Sequence, residues 1–356
     1  MRRTRRRGAA LILFVVDQVG SAEYLLPLLA RWREHPREAW RLLASPRSSA
    51  AFSRHGVPHE PATSANLSQH VAALDEWTPR VGMLSSSGDS ELEHVFRSAL
   101  KQRRIPCFQF VDMWANYALR FHAPAQGGPP LHLPDAVLTI DENARHAMIS
   151  EGIPDSIIRV IGQPYFEAIQ ARYQARAADR ARGNRVLIAT QPVSRYHGRR
   201  LGYDEHDFLR CCLEALQRSA IGWERVDVAI HPEESRDRHL AELARISNRI
   251  DVVDGAGLFI DDYAAVLSMN SSFLVHALLA GVAVASVQPG ALADEFCQLA
   301  ALGMIPRWTE VAQLSEWLDN VDVFQASAAA RPPTLMQHAL AGSCDRFEHF
   351  LLAARP

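Results

Sequence analysis

The fold is decided by the stretch AAVLSMNSSFLVHALLAGVAVASV, residues 264–287. Two apolar runs, Ala264–Met269 and Val282–Val287, flank a polar turn and a segment with helical spacing of apolar residues. Strand, helix and strand in this order are typical of a βαβ unit on a parallel sheet. We therefore predict that the turn Asn270–Ser272 lies where the first strand ends and the helix begins.

The same alternation extends over the rest of the chain. Further strands are predicted at Leu11–Val16, Arg41–Ala44, Val81–Ser85, Cys107–Val111, Ala136–Ile140, Arg159–Ile161, Arg185–Ala189, Asp227–Ile230 and Ile250–Val253. Helical spacing is found at Tyr24–Glu34, Gln163–Gly183, Asp207–Arg218, Arg238–Ile246 and Leu335–Ala353. The pattern predicts an α/β protein of two Rossmann-like, doubly wound domains facing across a cleft. We place them at 1–163 and 164–334, with a C-terminal helix at 335–356 that returns to the first domain.

Composition excludes several classes of protein. The formal net charge of -2 gives no overall field that would attract nucleic acid, and the 15 histidines show no metal-ligand spacing. The five cysteines are scattered without a CxxC pair, which predicts reduced thiols in a cytoplasmic protein. The sequence lacks the GxxxxGK[ST], GxGxxG, GxSxG and HExxH motifs. We therefore expect neither a metal nor a cofactor.

The N-terminus combines a basic tail, Arg2–Arg7, with an apolar run, Ala9–Val16. The run ends at Asp17 and is far shorter than the roughly 20 residues of a membrane-spanning helix. We interpret it as a buried first strand behind a solvated tail. Peripheral contact of the tail with acidic lipid headgroups is the alternative.

Two of the predicted strand ends in the first half carry small polar residues. Gly20 and Ser21 follow the first strand and lead into a helix whose N–H groups could receive an anion, although the glycine could equally serve only the turn. The serine-rich segment Ser85–Ser90 includes Ser87 and Asp89. Its hydroxyls could bind sugar or phosphate oxygens, whereas helix capping is the alternative role.

A third strand end combines side chains that are common in sugar-binding sites. Asp112 follows a buried strand, and Trp114, Asn116 and Arg120 come directly after it. An aromatic ring can stack on a sugar face, a carboxylate can transfer a proton, and an arginine can pair with an anion. The alternative is a packed loop whose aromatic residues lie in the core.

The second half contains the best candidate for a phosphate site. Asn270, Ser271 and Ser272 would present hydroxyl and N–H donors at a helix N-terminus, where the helix dipole favours an anion. His231 follows a neighbouring strand and could act as acid, base or phosphate donor, or could be a hydrogen-bonded structural residue.

These segments resemble the UDP-N-acetylglucosamine 2-epimerases and the glycosyltransferases that share their two-domain fold, the glycosyltransferase-B type. The resemblance is carried by Gly20–Glu23 with Leu26–Leu28, by Asp135–Pro164, and by Ser271–Val284. It implies that His231 matches the histidine of the family's His-Pro motif and that Ser271 and Ser272 match its diphosphate-binding position.

The resemblance also implies catalytic roles, with departures. Asp112 falls near an epimerase catalytic glutamate and Asp89 near its catalytic aspartate, with a spacing that differs by one residue. The segment Ala123–Pro134 has no counterpart of the epimerases' second glutamate, and His276 stands where many glycosyltransferases have a ribose-binding glutamate.

Our leading expectation is therefore a metal-independent glycosyltransferase of glycan, polysaccharide or glycoside biosynthesis. Asp112 would be the base, and His231 would offset charge on the leaving phosphate. Its partners would be a nucleotide-sugar donor and a glycan or small-molecule acceptor. A nucleotide-sugar 2-epimerase or hydrolase is the first alternative, and a non-catalytic nucleotide-sugar binding protein is the second.

Overall fold

Buried apolar strands alternate with amphipathic helices along the chain, as the hydrophobic pattern predicts. The computed structural model describes residues 11–122, 131–176, 183–243, 250–255, 257–292, 296–322 and 340–354. The chain divides into two units, Met1–Ala168 with Gln337–Pro356 (the first unit) and Ile169–Met336 (the second unit). The division falls inside one helix, Pro164–Arg176.

Each unit is built on one parallel sheet. The first has seven strands in the order β3-β2-β1-β4-β5-β6-β7, and the second has six in the order β10-β9-β8-β11-β12-β13. The strands are β1 Leu11–Val16, β2 Ala39–Ala44, β3 Glu60–Pro61, β4 Val81–Leu84, β5 Cys107–Phe110, β6 Ala136–Thr139, β7 Ile158–Val160, β8 Arg185–Ala189, β9 Arg225–Ala229, β10 Ile250–Val253, β11 Ala265–Ser268, β12 Ala283–Val287 and β13 Arg307–Trp308.

Helices connect most of the strands. They are α1 Val19–Glu34, α2 Pro46–Arg54, α3 Leu67–Trp77, α4 Glu91–Gln102, α5 Glu142–Ser150, α6 Pro164–Arg176, α7 Val193–His197, α8 Glu205–Arg218, α9 Arg236–Leu243, α10 Ser272–Leu279, α11 Gln298–Ala301, α12 Val311–Asp319 and α13 Ser343–Ala353. Short 3₁₀ turns lie at Ala118–Phe121, Asp155–Ile157 and Ile260–Asp262.

The predicted α/β fold class is confirmed, and the predicted strands agree with the structure to within two residues at each end. Two strands were missed, β3 and β13. Each has two residues and lies at an edge of its sheet, so neither gives an apolar run long enough to be recognised. The basic tail and parts of the predicted helices, residues 177–182, 244–246 and 335–339, lie outside the described residues.

The last helix packs within the first unit. The ring of Phe347 on α13 lies edge-on to Tyr24 of α1, with 5.4 Å between centroids. Tyr24 in turn stacks on Phe110 of β5 at 4.3 Å, so α13 completes one face of the seven-stranded core. Glu348 accepts a hydrogen bond from the indole of Trp32 at 2.5 Å and anchors the same face.

The strand order places the important loops. In each sheet the order reverses once, between β1 and β4 in the first unit and between β8 and β11 in the second. Loops that follow neighbouring strands on either side of such a reversal diverge, and they leave a crevice at the carboxyl edge of the sheet. The predicted site residues Ser21 and Ser87 follow β1 and β4, and Ser271 follows β11, whereas Asp112 and His231 follow the nearby strands β5 and β9.

All five cysteines are buried, and none of them forms a disulfide bond. Among the described residues, no cluster of three or more histidine, cysteine, aspartate or glutamate side chains has an arrangement that could hold a metal ion. A search of the same residues finds no helix with the length and apolarity needed to cross a membrane.

Candidate functional site

A cavity of about 230 Å³ lies at the carboxyl edge of the first sheet, beside the point where the strand order reverses. It is formed by the loops after β1, β4 and β5, and its lining residues are Gln18, Ser21, Ser86, Ser87, Gly88, Asp112, Asn116, Leu119 and Arg120. Five of the residues predicted from sequence therefore lie together here, and we call this space the Asp112 cavity.

The Asp112 carboxylate is held at both oxygens. Ser21 Oγ, in the first turn of α1, donates to Oδ2 at 2.8 Å, and Arg120 Nη1 donates to Oδ1 at 2.9 Å. Both charged side chains are largely buried, with 11% and 13% of the Asp112 and Arg120 side chains exposed. Charge-assisted bonds of this kind fix the orientation of a carboxylate. A carboxylate has about four acceptor sites, so the group keeps capacity to bond a ligand.

Arg120 also joins two of the loops. Its Nη1 donates to the backbone oxygen of Ser86 at 2.7 Å, and its Nε donates to the oxygen of Ala115 at 3.1 Å. The guanidinium thus connects the loop after β4 to the loop after β5 while it pairs with Asp112. This role is structural as well as electrostatic.

The serine loop after β4 is fixed from behind by Glu93 of α4. Glu93 Oε2 accepts from the backbone N–H of Ser87 at 2.6 Å, and Oε1 accepts from Ser87 Oγ at 3.0 Å and from Ser85 Oγ. Glu93 is 1% exposed, and this burial raises its pKa to about 8 against the opposing effect of the hydrogen bonds. A buried carboxyl group therefore lies one hydroxyl away from the cavity.

Two backbone features shape the cavity. Asn116 has φ of 57°, in the left-handed region that asparagine tolerates better than most residues. Gly88 lies so close to the Ala118–Phe121 turn that a Cβ there would be 2.8 Å from the backbone oxygen of Leu119. The glycine is therefore needed for the approach of the two loops that carry Ser87 and Arg120.

Two predicted site residues lie elsewhere. Trp114 is 2% exposed, its indole N–H donates to Asp141 at 2.8 Å, and its ring stacks on Phe166 at 5.8 Å, so the expectation of a sugar-stacking platform is wrong for this residue. Asp89 lines a neighbouring cavity of about 370 Å³ rather than the Asp112 cavity. It pairs with Arg47 at 3.0 Å and its side chain is 65% exposed, which removes it from the group around Asp112.

Gly20 is close to the Asp112 cavity without lining it. A Cβ at this position would be 3.5 Å from Asp112 Oδ2, an ordinary contact distance. Gly20 belongs to the first turn of α1, where its N–H is one of the donors that lack a partner within the helix. Gly20 does not have a positive φ, so its backbone conformation does not require a glycine.

In the second unit the predicted turn caps a helix. Ser271 is the N-cap of α10, and its Oγ accepts from the N–H of Phe273 at 3.3 Å. Ser272 is the exposed first residue of the helix. Asn270 donates its N–H to Gln191 Oε1 at 2.6 Å, which joins the loops after β8 and β11.

His231 lies at the end of β9, in a loop with its own hydrogen-bond network. Its Nδ1 accepts from the N–H of Glu233 at 3.2 Å, so in the neutral ring the proton is on Nε2. Its backbone N–H donates to Glu234 at 2.9 Å, and Glu234 also accepts from the hydroxyl of Thr190. Nε2 is thereby left as a donor.

His276 lies on α10, and its burial is the main reason that its pKa is lowered to about 4, with the charge of Arg172 acting in the same direction. The ring is therefore neutral at physiological pH, unlike the glutamate that the resemblance places at this position. A neutral imidazole can still contact a hydroxyl group, but it adds no negative charge beside a diphosphate.

Sequence reasoning missed several residues that shape these sites: Glu93, Gln163, Thr190, Gln191 and Glu234. Gln163 donates to the backbone oxygen of Asp112 at 3.2 Å across 51 residues, and no local pattern announces such a contact. Glu93 did carry a signal, because Ser90 followed three residues later by glutamate is a capping-box pattern. In the structure Glu93 goes beyond this capping pattern, because its carboxylate accepts hydrogen bonds from the backbone N–H and the hydroxyl of Ser87.

No family model and no curated protein matches this sequence. Solved structures do match over nearly the whole chain. The UDP-GlcNAc 2-epimerase from Neisseria meningitidis, bound to UDP-GlcNAc, has a TM-score of 0.68 at 12% identity and covers 96% of this chain and 99% of its own. The chain has the glycosyltransferase-B fold.

Two further structures share it. The S. aureus MnaA–UDP co-structure has a TM-score of 0.66 at 12% identity, with 96% of each chain covered. The glycotransferase of kitacinnamycin has a TM-score of 0.63 at 16% identity, with 98% of this chain and 99% of that chain covered. The resemblance stated from the sequence is confirmed at the level of the fold.

The comparison corrects the functional expectation. The similar structures are mostly UDP-GlcNAc 2-epimerases, with one glycosyltransferase beside them, so the leading expectation of a glycosyltransferase is contradicted. That expectation gave weight to the absence of a second glutamate from Ala123–Pro134, of which residues 123–130 lie outside the described residues.

Proposed function

We propose that this protein is a nucleotide-sugar-converting enzyme, a 2-epimerase or hydrolase that acts on one nucleotide-linked sugar without a separate acceptor. The observation that carries the proposal is the Asp112 carboxylate, which is oriented by Ser21 and Arg120 in a cavity at the carboxyl edge of a doubly wound sheet. Positioned carboxylates transfer protons to and from bound ligands.

In this proposal the first unit performs the sugar chemistry. Asp112 accepts a proton from the sugar or from a water molecule, and its pairing with Arg120 keeps it oriented while it does so. Asn116 and Ser86, which line the same cavity, supply amide and hydroxyl groups that suit sugar hydroxyls. The cavity volume of about 230 Å³ suits one monosaccharide residue better than a disaccharide.

The second unit receives the nucleotide. Ser271 and the first N–H groups of α10 form an anion site, because a helix N-terminus offers N–H donors that lack partners within the helix, together with a favourable dipole. The Nε2–H of His231 donates to a phosphate oxygen and offsets charge as the diphosphate leaves. Three of the similar structures are complexes with UDP-GlcNAc, UDP or both, which makes a UDP-linked amino sugar the first candidate.

The test is incubation of the purified protein with single nucleotide sugars and no acceptor, followed by chromatography and proton NMR. We expect either a nucleotide sugar inverted at C2 or free nucleotide with a released sugar, and these two products separate epimerase from hydrolase. Turnover that begins only when an acceptor is added would contradict the proposal. Binding of UDP without any conversion of any sugar would contradict it as well.

A further inference from the structure

A second proton-carrying group lies behind the wall of the Asp112 cavity. Ser87 lines the cavity, and its Oγ is 3.0 Å from Glu93 Oε1. Glu93 is 1% exposed and therefore meets a ligand only through a neighbouring side chain. The hydroxyl of Ser87 is the group placed to make that connection.

The hydrogen bonds give Ser87 two states. With Glu93 ionised, the Ser87 hydroxyl donates to the carboxylate and turns its lone pairs to the cavity. With Glu93 protonated, the carboxylic acid can donate to Ser87 Oγ, and the serine proton is then free to point at a ligand oxygen. The backbone N–H of Ser87, at 2.6 Å from Glu93 Oε2, keeps the Ser87 hydroxyl beside the Glu93 carboxyl group in both states.

We propose that Ser87 and Glu93 form a proton relay that supplies the second acid–base function of the Asp112 cavity. The inference rests on the proposed function, since it assigns a donor to the step opposite Asp112. Asp112 is reached directly by the ligand, whereas Glu93 is a positioning residue that acts through Ser87. The relay takes the place of the glutamate for which Ala123–Pro134 offers no counterpart.

The transfer is balanced without any further reagent. As a ligand oxygen gains negative charge, the Ser87 O–H bond breaks toward it and a new O–H bond forms on the ligand. At the same time the O–H bond of Glu93 breaks, and its proton restores the Ser87 hydroxyl. The products are a neutral ligand hydroxyl and the Glu93 carboxylate, and after the product leaves, Glu93 regains a proton from solvent water through Ser87.

The charged surroundings of Glu93 suit this role. Asp17, directly after β1, disfavours its ionised form. The charge of Glu93 in turn acts to raise the pKa of the buried Arg97, one turn further along α4, against the larger lowering effect of burial. Burial is the largest effect and raises the pKa of Glu93 to about 8, so the group holds its proton at neutral pH and loses it above that value. Activity that depends on the relay must therefore decline on the alkaline side.

The first experiment is a pH profile of nucleotide-sugar turnover. We expect the wild type to lose activity above about pH 8. The activity of Glu93→Gln should be about 100-fold or more below that of the wild type at neutral pH, and it should no longer decline above that pH. Ser87→Ala should show a similar loss, and the double variant should lose no more than either single variant, because both remove one relay. The exposed Glu76→Gln is the matched control and keeps the wild-type profile.

A Glu93→Gln profile that keeps the alkaline decline would overturn the relay, as would losses that add in the double variant.

A second measurement does not depend on turnover. It follows the infrared band of protonated carboxyl groups, to which Glu23, whose pKa burial raises to about 7, also contributes. The part of this band that is lost in Glu93→Gln should be present in the wild type at pH 7 and shifted in Ser87→Ala. A band unaffected by Ser87→Ala overturns the relay, whereas the expected shifts without any sugar conversion would sink only the proposed function.

Discussion

The two sheets have the same topology at their carboxyl edges and opposite chemistry there. In the first unit, carboxyl groups and an arginine are locked together around a cavity, with Asp112 held by Ser21 and Arg120. In the second unit, the loops after β11 and β9 present a serine at a helix N-terminus and a histidine whose ring keeps one donor. One edge can exchange protons, and the other can hold an anion.

This difference follows from the residues at a few strand ends rather than from the fold. Buried carboxyl groups have pKa values that respond strongly to their surroundings, which makes them suited to acid–base chemistry. Neutral hydroxyl and N–H donors bind a phosphate without the cost of burying an opposite charge. The first edge therefore suits acid–base chemistry, and the second suits an anion such as a phosphate.

The largest expected effect is at Asp112. Asp112→Asn keeps the size of the side chain and removes its ability to take a proton, so turnover of a nucleotide sugar should fall by about 10²–10⁴-fold. UDP affinity, measured by calorimetry, should stay within about twofold, because the nucleotide is assigned to the second unit. Asp75→Asn, an exposed aspartate paired with Arg103, is the control and should change neither quantity. Equal losses of turnover and UDP affinity in Asp112→Asn would break the division between the edges.

A smaller effect is expected at Gly88. In Gly88→Ala the added Cβ would lie 2.8 Å from the backbone oxygen of Leu119. The loops that carry Ser87 and Arg120 must therefore move apart. We expect unfolding free energy to fall by about 1–3 kcal/mol, with lower turnover. Gly20→Ala is the matched comparison. Its Cβ meets only an ordinary contact, and alanine is the better helix former, so thermal unfolding should show no loss of stability.

The smallest expected effect concerns Ser271. Ser271→Ala removes the N-cap of α10 and should cost about 1 kcal/mol of stability. Ser271→Asp restores a cap, so stability should return, while its negative charge should weaken UDP binding about tenfold. The two quantities therefore separate capping from phosphate binding. If Ser271→Asp binds UDP as tightly as the wild type, the diphosphate does not lie at this helix.

Much of the fold could be predicted because its signals are local. Leu11–Val16 and, after its first residue, Arg185–Ala189 are continuous apolar runs, which a sheet covered on both faces requires. Ser271 could be placed at a helix N-terminus for the same reason, since capping depends on a few neighbouring residues. The two-residue edge strands carry no such signal, and they were missed.

Asp112 could be nominated from its sequence position, because residues after buried parallel strands lie at the ligand-binding edge. Its surroundings could not be deduced. The partners of its carboxylate and backbone come from α1, a 3₁₀ turn and Gln163, and the sequence separation between Ser21 and Asp112 is 91 residues. The same limit explains why Trp114 was predicted to bind sugar although it stacks on Phe166.

The sequence by itself determined the alternation of strands and helices, the parallel sheets and the strand ends where polar residues gather, because hydrophobic periodicity and capping act over a few residues. Tertiary structure alone decided which of those residues meet. Glu93 became a buried acid behind Ser87, and Asp89 became an exposed partner of Arg47, because the pKa and reach of a side chain depend on burial and on neighbours that are distant along the chain.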